Sequence, residues 1–142
     1  MSPQYSKSPR TILVVDDDNS VVEVLHKILS KHGYEVLQAA GAEQATAAAR
    51  GHPHPIDLLI VDAVMPNVSG PELADGLLEL RPEMKVLFIT GLDGLAIQLA
   101  FGRPCECVQK PFTLRFLVTK VQEALSDTVS AGPDLPDSVN FS

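Results

Sequence analysis

Carboxylates follow two apolar runs of the sequence. The run at 12–15 leads directly into three consecutive aspartates, 16–18, and the run at 58–61 leads into Asp62. Carboxylate oxygens are the ligands that hard divalent cations such as Mg2+ prefer, whereas neighbouring acids repel one another when no positive charge lies among them. Such a cluster is therefore either a solvated turn or a seat for a divalent cation.

A hydroxyl and an ammonium group follow two later apolar runs. Thr90 ends the run at 86–89, and Lys110 follows the segment at 105–109. A divalent cation and an ammonium would both neutralise charge on a transferring phosphoryl group, so a carboxylate beside them has the surroundings of a nucleophile toward phosphorus. The residue types therefore favour phosphoryl chemistry, provided that the fold brings these positions together.

The elements that must position these residues alternate between strands and helices. Apolar segments predict strands at 11–15, 35–39, 56–61, 85–89 and 105–109. Helical spacing predicts helices at about 19–32, 42–50, 71–80, 92–100 and 113–126. This strict alternation predicts an α/β fold, a doubly wound five-stranded parallel sheet with five helices. Because ligands of such sheets bind beyond the carboxyl ends of the strands, the acids, Thr90 and Lys110 are expected at one edge.

Length and composition set the broad class of the protein. At 142 residues and 45% hydrophobic, the chain has material for one domain with one ordinary core. The net charge of -7 comes without a basic patch, which argues against direct binding to nucleic acid. No apolar run approaches the roughly 20 residues that span a bilayer, and the polar amino terminus lacks the apolar core of a signal peptide. We therefore expect a cytoplasmic protein with no membrane insertion.

Three regions are expected along the chain. Residues 1–9 are predicted as a flexible amino terminus, and residues 10–126 as the folded domain. Residues 127–142 show no apolar period and contain Gly132, Pro133 and Pro136, which predicts a disordered acidic tail. The chemistry is therefore expected between residues 10 and 126.

The cysteines and histidines receive no catalytic role. Cys105 and Cys107 lie two positions apart, which in a strand places both on one face, so we interpret them as reduced, buried apolar side chains. A Cys-x-Cys metal site is the alternative, and it needs further ligands nearby. The four histidines are expected at the solvated side or end of the first helix and in a proline-containing loop, namely His26, His32, His52 and His54.

Four motifs resemble those of the receiver domains of two-component response regulators. They are Val14-Val15-Asp16-Asp17, Asp62-Ala63-Val64-Met65-Pro66 with Gly70 following, Thr90-Gly91 and Lys110-Pro111-Phe112. Each motif alone is a weak signal, but together they stand in the family's order and near its spacing, each at the end of a predicted strand. The resemblance covers roughly residues 10–126 and implies the flavodoxin-like receiver fold.

The resemblance implies a role for each acid of the cluster. Asp62 would accept a phosphoryl group from a phosphohistidine on a sensor histidine kinase or a histidine phosphotransfer protein. Asp17, Asp62 and the backbone carbonyl of Val64 would ligate Mg2+, with Asp16 acting mainly through water.

The other two strand ends also receive roles from the resemblance. Lys110 would hold one phosphoryl oxygen, and Thr90 would swing its hydroxyl onto another. The Lys110-Pro111 peptide bond resembles the family's cis bond, which would aim the ammonium inward. The phosphorylated state would then bind a downstream protein target, not identified by the sequence, differently from the unphosphorylated state.

The chain departs from the family's pattern at several positions. Receivers usually carry an aromatic residue three positions before the lysine, where this chain has Cys107. A thiol cannot exchange a ring between buried and exposed positions, so the signal would travel through backbone shifts at 91–104, the surface where many receivers form homodimers or bind outputs. Val64 and Leu92 are apolar at the positions that flank the path of the hydrolytic water in this family, which predicts slow autodephosphorylation.

The leading interpretation is a phosphorylatable receiver, either stand-alone or similar to those of hybrid sensor kinases, which is not an enzyme beyond its own phosphorylation and slow dephosphorylation. The first alternative is a phosphohydrolase of the haloacid-dehalogenase type, with Asp16 as nucleophile and Asp18 as acid and base. That family needs a further acidic pair late in the chain, whereas residues 91–126 hold only scattered acids. The second alternative is a receiver that only docks and is never phosphorylated. For Asp18 itself we prefer the role of a helix cap.

Overall fold

The computed structural model describes residues 9–91 and 93–125, together with the backbone of residues 140 and 141. The strands in this part of the chain are β1 (Thr11–Val15), β2 (Glu35–Ala39), β3 (Leu58–Asp62), β4 (Lys85–Thr90), β5 (Glu106–Gln109), β6 (Phe112–Thr113) and β7 (Asn140–Phe141). Strands β1 to β5 lie within one or two residues of their predicted positions.

In the described part of the chain, helices follow strands β1 to β4 and strand β6. They are α1 (Asn19–Lys31), α2 (Ala42–Gly51), α3 (Gly70–Leu80), α4 (Gly94–Phe101) and α5 (Leu114–Ala124). Among the residues described, no helix has both the length and the apolar character to cross a membrane.

Parallel pairing aligns the carboxyl ends of the strands at one edge. The sheet has the order β2-β1-β3-β4-β5, and every neighbouring pair is parallel. The register pairs Val15 with Val61, and Thr90 with Gln109. The acids that follow β1 and Lys110, which follows β5, therefore leave the sheet on the same side. The predicted α/β, doubly wound fold is confirmed.

The sheet is covered on both faces, which explains why the middle of each central strand is apolar. On one face, α1 and α5 pack over a core that includes Ile12 and Val14. On the other face, α2, α3 and α4 pack over a core that includes Leu13 and Val15. Successive side chains of β1 thus enter opposite cores, and all five residues of this strand are buried.

Helix α1 begins where the acidic run ends. Asp18 is its N-cap, and its Oδ1 atom accepts a hydrogen bond from the Ser20 N–H at 2.9 Å. The capping role preferred for Asp18 is confirmed, and this aspartate is exposed. The helix therefore fixes where the chain turns away from the carboxyl edge of the sheet.

The end of the sequence differs from the predicted tail at one point. Residues 126–139 lie outside the described part of the chain, and so do residues 1–8, so their predicted disorder stays a prediction. The backbone of Asn140 and Phe141, by contrast, forms β7 and pairs antiparallel with β6. A two-residue strand has no periodic signal of its own, which is why the sequence did not predict it.

The two cysteines lie at the outer edge of the sheet. Cys105 and Cys107 are free thiols that pack against the same core, and both are half-buried. They share a face as predicted, but the prediction that they are buried is wrong. The reason is that β5 is the outermost strand of the sheet and has a neighbour on one side only.

Candidate functional site

Three carboxylates meet at the carboxyl edge of the sheet. Asp16 and Asp17 follow β1, and Asp62 ends β3, the strand next to it. Each of the three offers a carboxylate oxygen, and these oxygens all lie within 4.8 Å of one another. Asp16 is buried and Asp17 is exposed, so the cluster runs from the protein interior to its surface.

Of the three acids, Asp16 has the surroundings that least favour an ionised carboxylate. Its Oδ1 atom accepts a hydrogen bond from the Asp18 N–H at 2.9 Å, while its buried Oδ2 atom has no hydrogen-bond partner. Burial raises the pKa of Asp16 to about 6, and repulsion from Asp62 and Asp17 adds to the rise, against the opposing effects of the Asp18 N–H and Lys110. A buried, unpartnered carboxylate oxygen among acids is what a bound divalent cation would satisfy. The residues present therefore fit Mg2+.

The two oxygens of Asp62 have different neighbours. Oδ1 accepts a hydrogen bond from the Val64 N–H at 3.0 Å, which fixes the rotation of the carboxylate. Oδ2 lies 3.7 Å from Nζ of Lys110, the cation of this edge. Both side chains are mostly buried, with 12% and 17% of their surface exposed for Asp62 and Lys110. An ammonium held this close to a carboxylate would also contact a group attached to it.

The loop that carries Lys110 is tied to the fourth strand. The Lys110 N–H donates to the backbone oxygen of Thr90 at 2.7 Å, and the Lys110–Pro111 peptide bond is cis. Thr90 itself is fully buried at the end of β4. Its preceding residue, Ile89, pairs with Asp62 in the β3–β4 register, so Thr90 lies one residue beyond the level of that acid.

Gly70 allows the loop after Asp62 to fold back on the strand end. A Cβ atom at this position would lie 2.5 Å from the backbone oxygen of Asp62 and 2.7 Å from Cα of Ala63. The Gly70 N–H donates to the Ala63 oxygen at 2.8 Å, and Ser69 caps α3. The sequence marked Gly70 only as part of a motif and gave it no task. The structure shows that a side chain here would push α3 away from the phosphoacceptor candidate.

Cys107 lies against the start of α4. A Cβ atom at Gly94, the first residue of α4, would lie 3.3 Å from Cβ of Cys107, and the Cys107 sulfur lies 3.8 Å from the Gly94 oxygen. Burial raises the pKa of Cys107 to about 11, with the Cys105 thiol adding to the rise. The thiol is therefore protonated at neutral pH and is not an activated nucleophile.

The alternative phosphohydrolase arrangement lacks its second carboxylate. It requires Asp18 as acid and base beside Asp16, but Asp18 is exposed and caps α1. Among the described residues, only the group of Asp16, Asp17 and Asp62 brings three metal-ligating atoms together. The structure therefore assembles the acids that the receiver-type interpretation requires and not those of the hydrolase.

A groove opens beside the acidic cluster. It has a volume of about 540 Å³ and runs between the loops that follow β2 and β3. Its lining includes Asp17 and the apolar side chains of Met65, Pro66 and Val68. The exposed end of the cluster is thus reachable from solvent through a surface that is partly apolar.

Known proteins resemble this chain over most of its length. The family model "Response regulator receiver domain" matches residues 12–122. The response regulator receiver protein CpdR of Brucella abortus (strain 2308) is 36% identical over 118 residues, which cover 82% of this chain and 97% of that protein. The sensor kinase CckA of the same organism is 32% identical over 117 residues, 81% of this chain. The chain spans only 12% of CckA, and 25% of the DNA-binding transcriptional regulator NtrC of Azospirillum brasilense, which is 33% identical over 124 residues.

Solved structures show the same fold at similar identity. The CheY-like response regulator receiver domain protein of Methanospirillum hungatei JF-1 superimposes with a TM-score of 0.73 at 33% identity, covering 84% of this chain and 95% of that one. The receiver domain of the hybrid histidine kinase CckA gives a TM-score of 0.70 at 32% identity, covering 81% and 98%. With a family model that matches 12–122 and a relative matched over nearly its whole length, the chain belongs to the response regulator receiver domains of two-component signalling.

Proposed function

We propose that Asp62 is the phosphoacceptor of this receiver domain and that its phosphorylation changes the binding of a downstream protein. The observation that carries the proposal is the placing of Asp62 between two other carboxylates and the Lys110 ammonium, whose Nζ atom lies 3.7 Å from Oδ2 of Asp62. Receiver domains are typically signalling domains rather than enzymes, so the phosphoryl group serves as a signal and not as a product.

The residues that would hold Mg2+ are Asp17, Asp62 and the backbone carbonyl of Val64, with Asp16 acting through water. The unpartnered, buried Oδ2 atom of Asp16 supports this assignment, because a carboxylate oxygen at that depth is costly without a cation nearby. When bound, Mg2+ supplies positive charge to the phosphoryl oxygens during transfer.

The chain's own residues account for the rest of the transfer. A carboxylate oxygen of Asp62 forms the new bond to phosphorus as the bond from phosphorus to the histidine nitrogen of the donor breaks, and the freed imidazole takes a proton from solvent. Lys110 holds one phosphoryl oxygen, since its ammonium already faces the acceptor. Thr90 provides a hydroxyl for another oxygen, one residue beyond the level of Asp62 in the sheet.

The test is chemical phosphorylation followed by mapping. The protein is incubated with Mg2+ and acetyl phosphate, and intact mass and peptide mass spectra are recorded. We expect one phosphoryl group on Asp62, none after Asp62→Asn or with EDTA, and full labelling of Asp75→Asn, whose exposed carboxylate pairs with Arg103 on the surface. Label on Asp16 would support the phosphohydrolase instead, and no label on either acid would favour a receiver that only docks.

The phosphodonor is proposed as a sensor histidine kinase or a histidine phosphotransfer protein. The matches to a sensor kinase and to the receiver of a hybrid histidine kinase support this class of donor. The chain spans only small parts of the longer relatives, so the downstream target is a proposal of class alone. The test is transfer of radiolabelled phosphate from a purified phosphorylated histidine phosphotransfer protein to the wild type, with Asp62→Asn as the acceptor that should remain unlabelled.

A homodimer also remains a proposal. Leu95 and Leu99 on α4 and Phe116 on α5 have 60%, 74% and 47% of their surface exposed, which is unusual for large apolar side chains. Sedimentation equilibrium with and without beryllofluoride, which mimics the phosphoryl group, measures whether the protein self-associates and whether Leu99→Gln prevents it.

A further inference from the structure

A second cluster of ligand-type side chains lies at the opposite edge of the sheet. Glu35 begins β2, Asp57 directly precedes β3, and His52 and His54 lie in the loop that joins α2 to β3. Thr11, the first residue of β1, connects the two acids, because its N–H donates to Oδ2 of Asp57 at 2.7 Å and its hydroxyl donates to Oε1 of Glu35 at 3.3 Å. We call Glu35, His52, His54 and Asp57 the amino-edge cluster.

His52 is the member whose environment is incomplete. Its side chain is only 9% exposed, and its buried Nε2 atom has no hydrogen-bond partner. The nearest carboxylate oxygen, Oε1 of Glu35, lies 3.9 Å away, which is too long for a hydrogen bond. A buried polar nitrogen without a partner costs free energy, so a ligand that bridges His52 and Glu35 would remove that cost.

The backbone around the two histidines is held in place by one arginine. The guanidinium of Arg81 donates to the carbonyl oxygens of His52 at 2.6 Å and His54 at 2.9 Å, and its Nε donates to the oxygen of Ala49 at 2.8 Å. Prolines follow both histidines and restrict the loop further. The two imidazole rings, 5.8 Å apart between centroids, therefore project from a fixed loop.

We propose that the amino-edge cluster binds one Zn2+ ion through Nε2 of His52, Oε1 of Glu35 and the imidazole of His54. Zinc takes nitrogen and oxygen ligands at about 2.0–2.1 Å, so two ligands in a tetrahedral site lie about 3.3 Å apart. The present 3.9 Å separation needs a shift of about half an ångström to reach that geometry. Among the described residues only the acidic cluster already has three ligand atoms together, so the proposal requires the exposed side chain of His54 to rotate toward the ion.

A cavity of about 360 Å³ at this edge is lined by three members of the cluster, Glu35, His54 and Asp57, while the fourth member, His52, lies outside its lining and 3.9 Å from Glu35. Two carboxylates outnumber Arg10, the single cationic side chain that lines it, so the site is electrostatically suited to a cation. Asp57 stands close enough to the opening to neutralise charge without leaving its hydrogen bond to Thr11.

The ligand types separate this site from the acidic cluster. Mg2+ prefers oxygen ligands and retains its waters, whereas imidazole nitrogen with carboxylate suits Zn2+ and similar transition metals. The carboxyl edge offers three carboxylates, and the amino edge offers two imidazoles with acids beside them. Excess Mg2+ is therefore not expected to displace Zn2+ from the amino edge.

The test is isothermal titration calorimetry of the full chain with Zn2+ in the presence of excess Mg2+. We expect one Zn2+ per chain. Outer-shell partners alone typically cost about 10–100-fold in metal affinity, so replacing a ligand with Glu35→Gln or His54→Ala should raise the dissociation constant about tenfold or more. Titration with Co2+ should give the visible absorption of a four-coordinate site in the wild type and lose it in the same variants.

Three controls keep the result specific. His26→Ala removes a half-buried histidine of α1 and should leave Zn2+ binding unchanged, as should the double variant Cys105→Ser and Cys107→Ser, and Asp17→Asn at the other edge. The proposal is overturned if Zn2+ does not bind, if Glu35→Gln and His54→Ala bind it as the wild type does, or if binding is lost with the cysteines or Asp17. Far-UV circular dichroism of each variant tests whether it is folded. Because His54 is exposed, its replacement is not expected to disturb folding, so the test does not depend on a variant of the buried His52.

Discussion

The two edges of the sheet hold their polar side chains in opposite ways. At the carboxyl edge, Asp16, Asp17 and Asp62 are crowded together with Lys110, and the backbone approaches them closely at Gly70. The acids repel one another there, and one buried oxygen is left without a partner. The carboxyl edge thus keeps unfavourable contacts that a bound cation and a phosphoryl group would relieve.

At the amino edge, hydrogen bonds from side chains hold the polar backbone groups. Arg81 donates hydrogen bonds to three carbonyl oxygens at the end of α2 and in the loop that follows it, and Thr11 donates to both neighbouring acids, Glu35 and Asp57. Only Nε2 of His52 remains buried without a hydrogen bond among the described side chains of this edge. At both edges a buried polar atom without a hydrogen-bond partner persists because rigid neighbours hold it in place. Steric contact holds it at the carboxyl edge, and hydrogen bonds to the loop hold it at the amino edge.

Replacing Arg81 should remove the hydrogen bonds that hold the loop at the amino edge, and it should have the largest effect on stability. Arg81→Ala leaves three carbonyl oxygens without a charged donor, and we expect a loss of about 2–4 kcal/mol in the free energy of unfolding. Urea unfolding measures it. Arg103→Ala is the matched control, because this arginine is half-exposed and forms an ion pair with Asp75 at 3.1 Å, so the loss of stability should stay below about 1 kcal/mol. Equal losses would show that the three carbonyl contacts do not hold the loop.

Adding one methyl group at Gly70 should disturb the packing of α3 against the end of β3 at the carboxyl edge. The new Cβ atom would overlap the backbone of Asp62 and Ala63, and overpacking of this kind costs about 1–3 kcal/mol. Gly76→Ala in the same helix is the control, because apart from its neighbours in the helix backbone nothing lies within 4 Å of its Cβ position and alanine favours helix, so we expect a gain of about 0.5–1 kcal/mol. Thermal unfolding and the rate of labelling by acetyl phosphate are measured together. A stable Gly70→Ala protein with normal labelling would contradict the close approach.

Replacing Asp16 should sharpen the difference between the edges through its pH dependence. Burial raises the pKa of Asp16 from 3.8 to about 6, so the folded chain keeps a proton that the unfolded chain releases, and stability is lost as pH rises through this range. Asp16→Asn removes that loss, and we expect the free energy of unfolding of the variant to exceed that of the wild type by up to about 3 kcal/mol at pH 8 without Mg2+.

The measurement for Asp16 is urea unfolding between pH 4 and pH 8 in EDTA. The gap between the variant and the wild type should widen with pH and shrink again when Mg2+ is added, because only the wild type has the carboxylate that the cation satisfies. Asp75→Asn, at an exposed ion pair, should show no such gap. A gap that is constant across pH would mean that the titration of Asp16 is not its cause.

The smallest expected effect concerns the lifetime of the phosphoryl group. Val64 follows Asp62 by two residues and has 59% of its surface exposed. Because its side chain is apolar, it offers no polar group to an attacking water. Val64→Asn should shorten the lifetime by up to about tenfold, which corresponds to about 1.4 kcal/mol in the barrier. Decay of labelled protein measures the lifetime, and Leu80→Gln, at an exposed leucine on α3, should leave it unchanged. Leu92→Glu tests the same hypothesis at a residue outside the described part of the chain.

Local pattern in the sequence determined most of the fold. The alternation of apolar strands and amphipathic helices set the doubly wound sheet, and strand ends placed Asp62, Thr90 and Lys110 on one side. The cap at Asp18 was also readable, because an acid before a helical run has a defined local task. These features depend on residues that are near one another in the chain, and their periodicity is visible without the tertiary structure.

Tertiary structure alone decided what surrounds each of these residues. Asp16 and Asp17 are adjacent in sequence, yet one is buried with an unpartnered oxygen and the other is exposed. A side chain at Gly70 would overlap the end of β3, and His52 lies 3.9 Å from Glu35. Both distances are between segments that meet only when the helices pack on the sheet. Such distances depend on how distant segments pack, which no local period encodes, and they decide where this receiver is strained and where it is left open to a ligand.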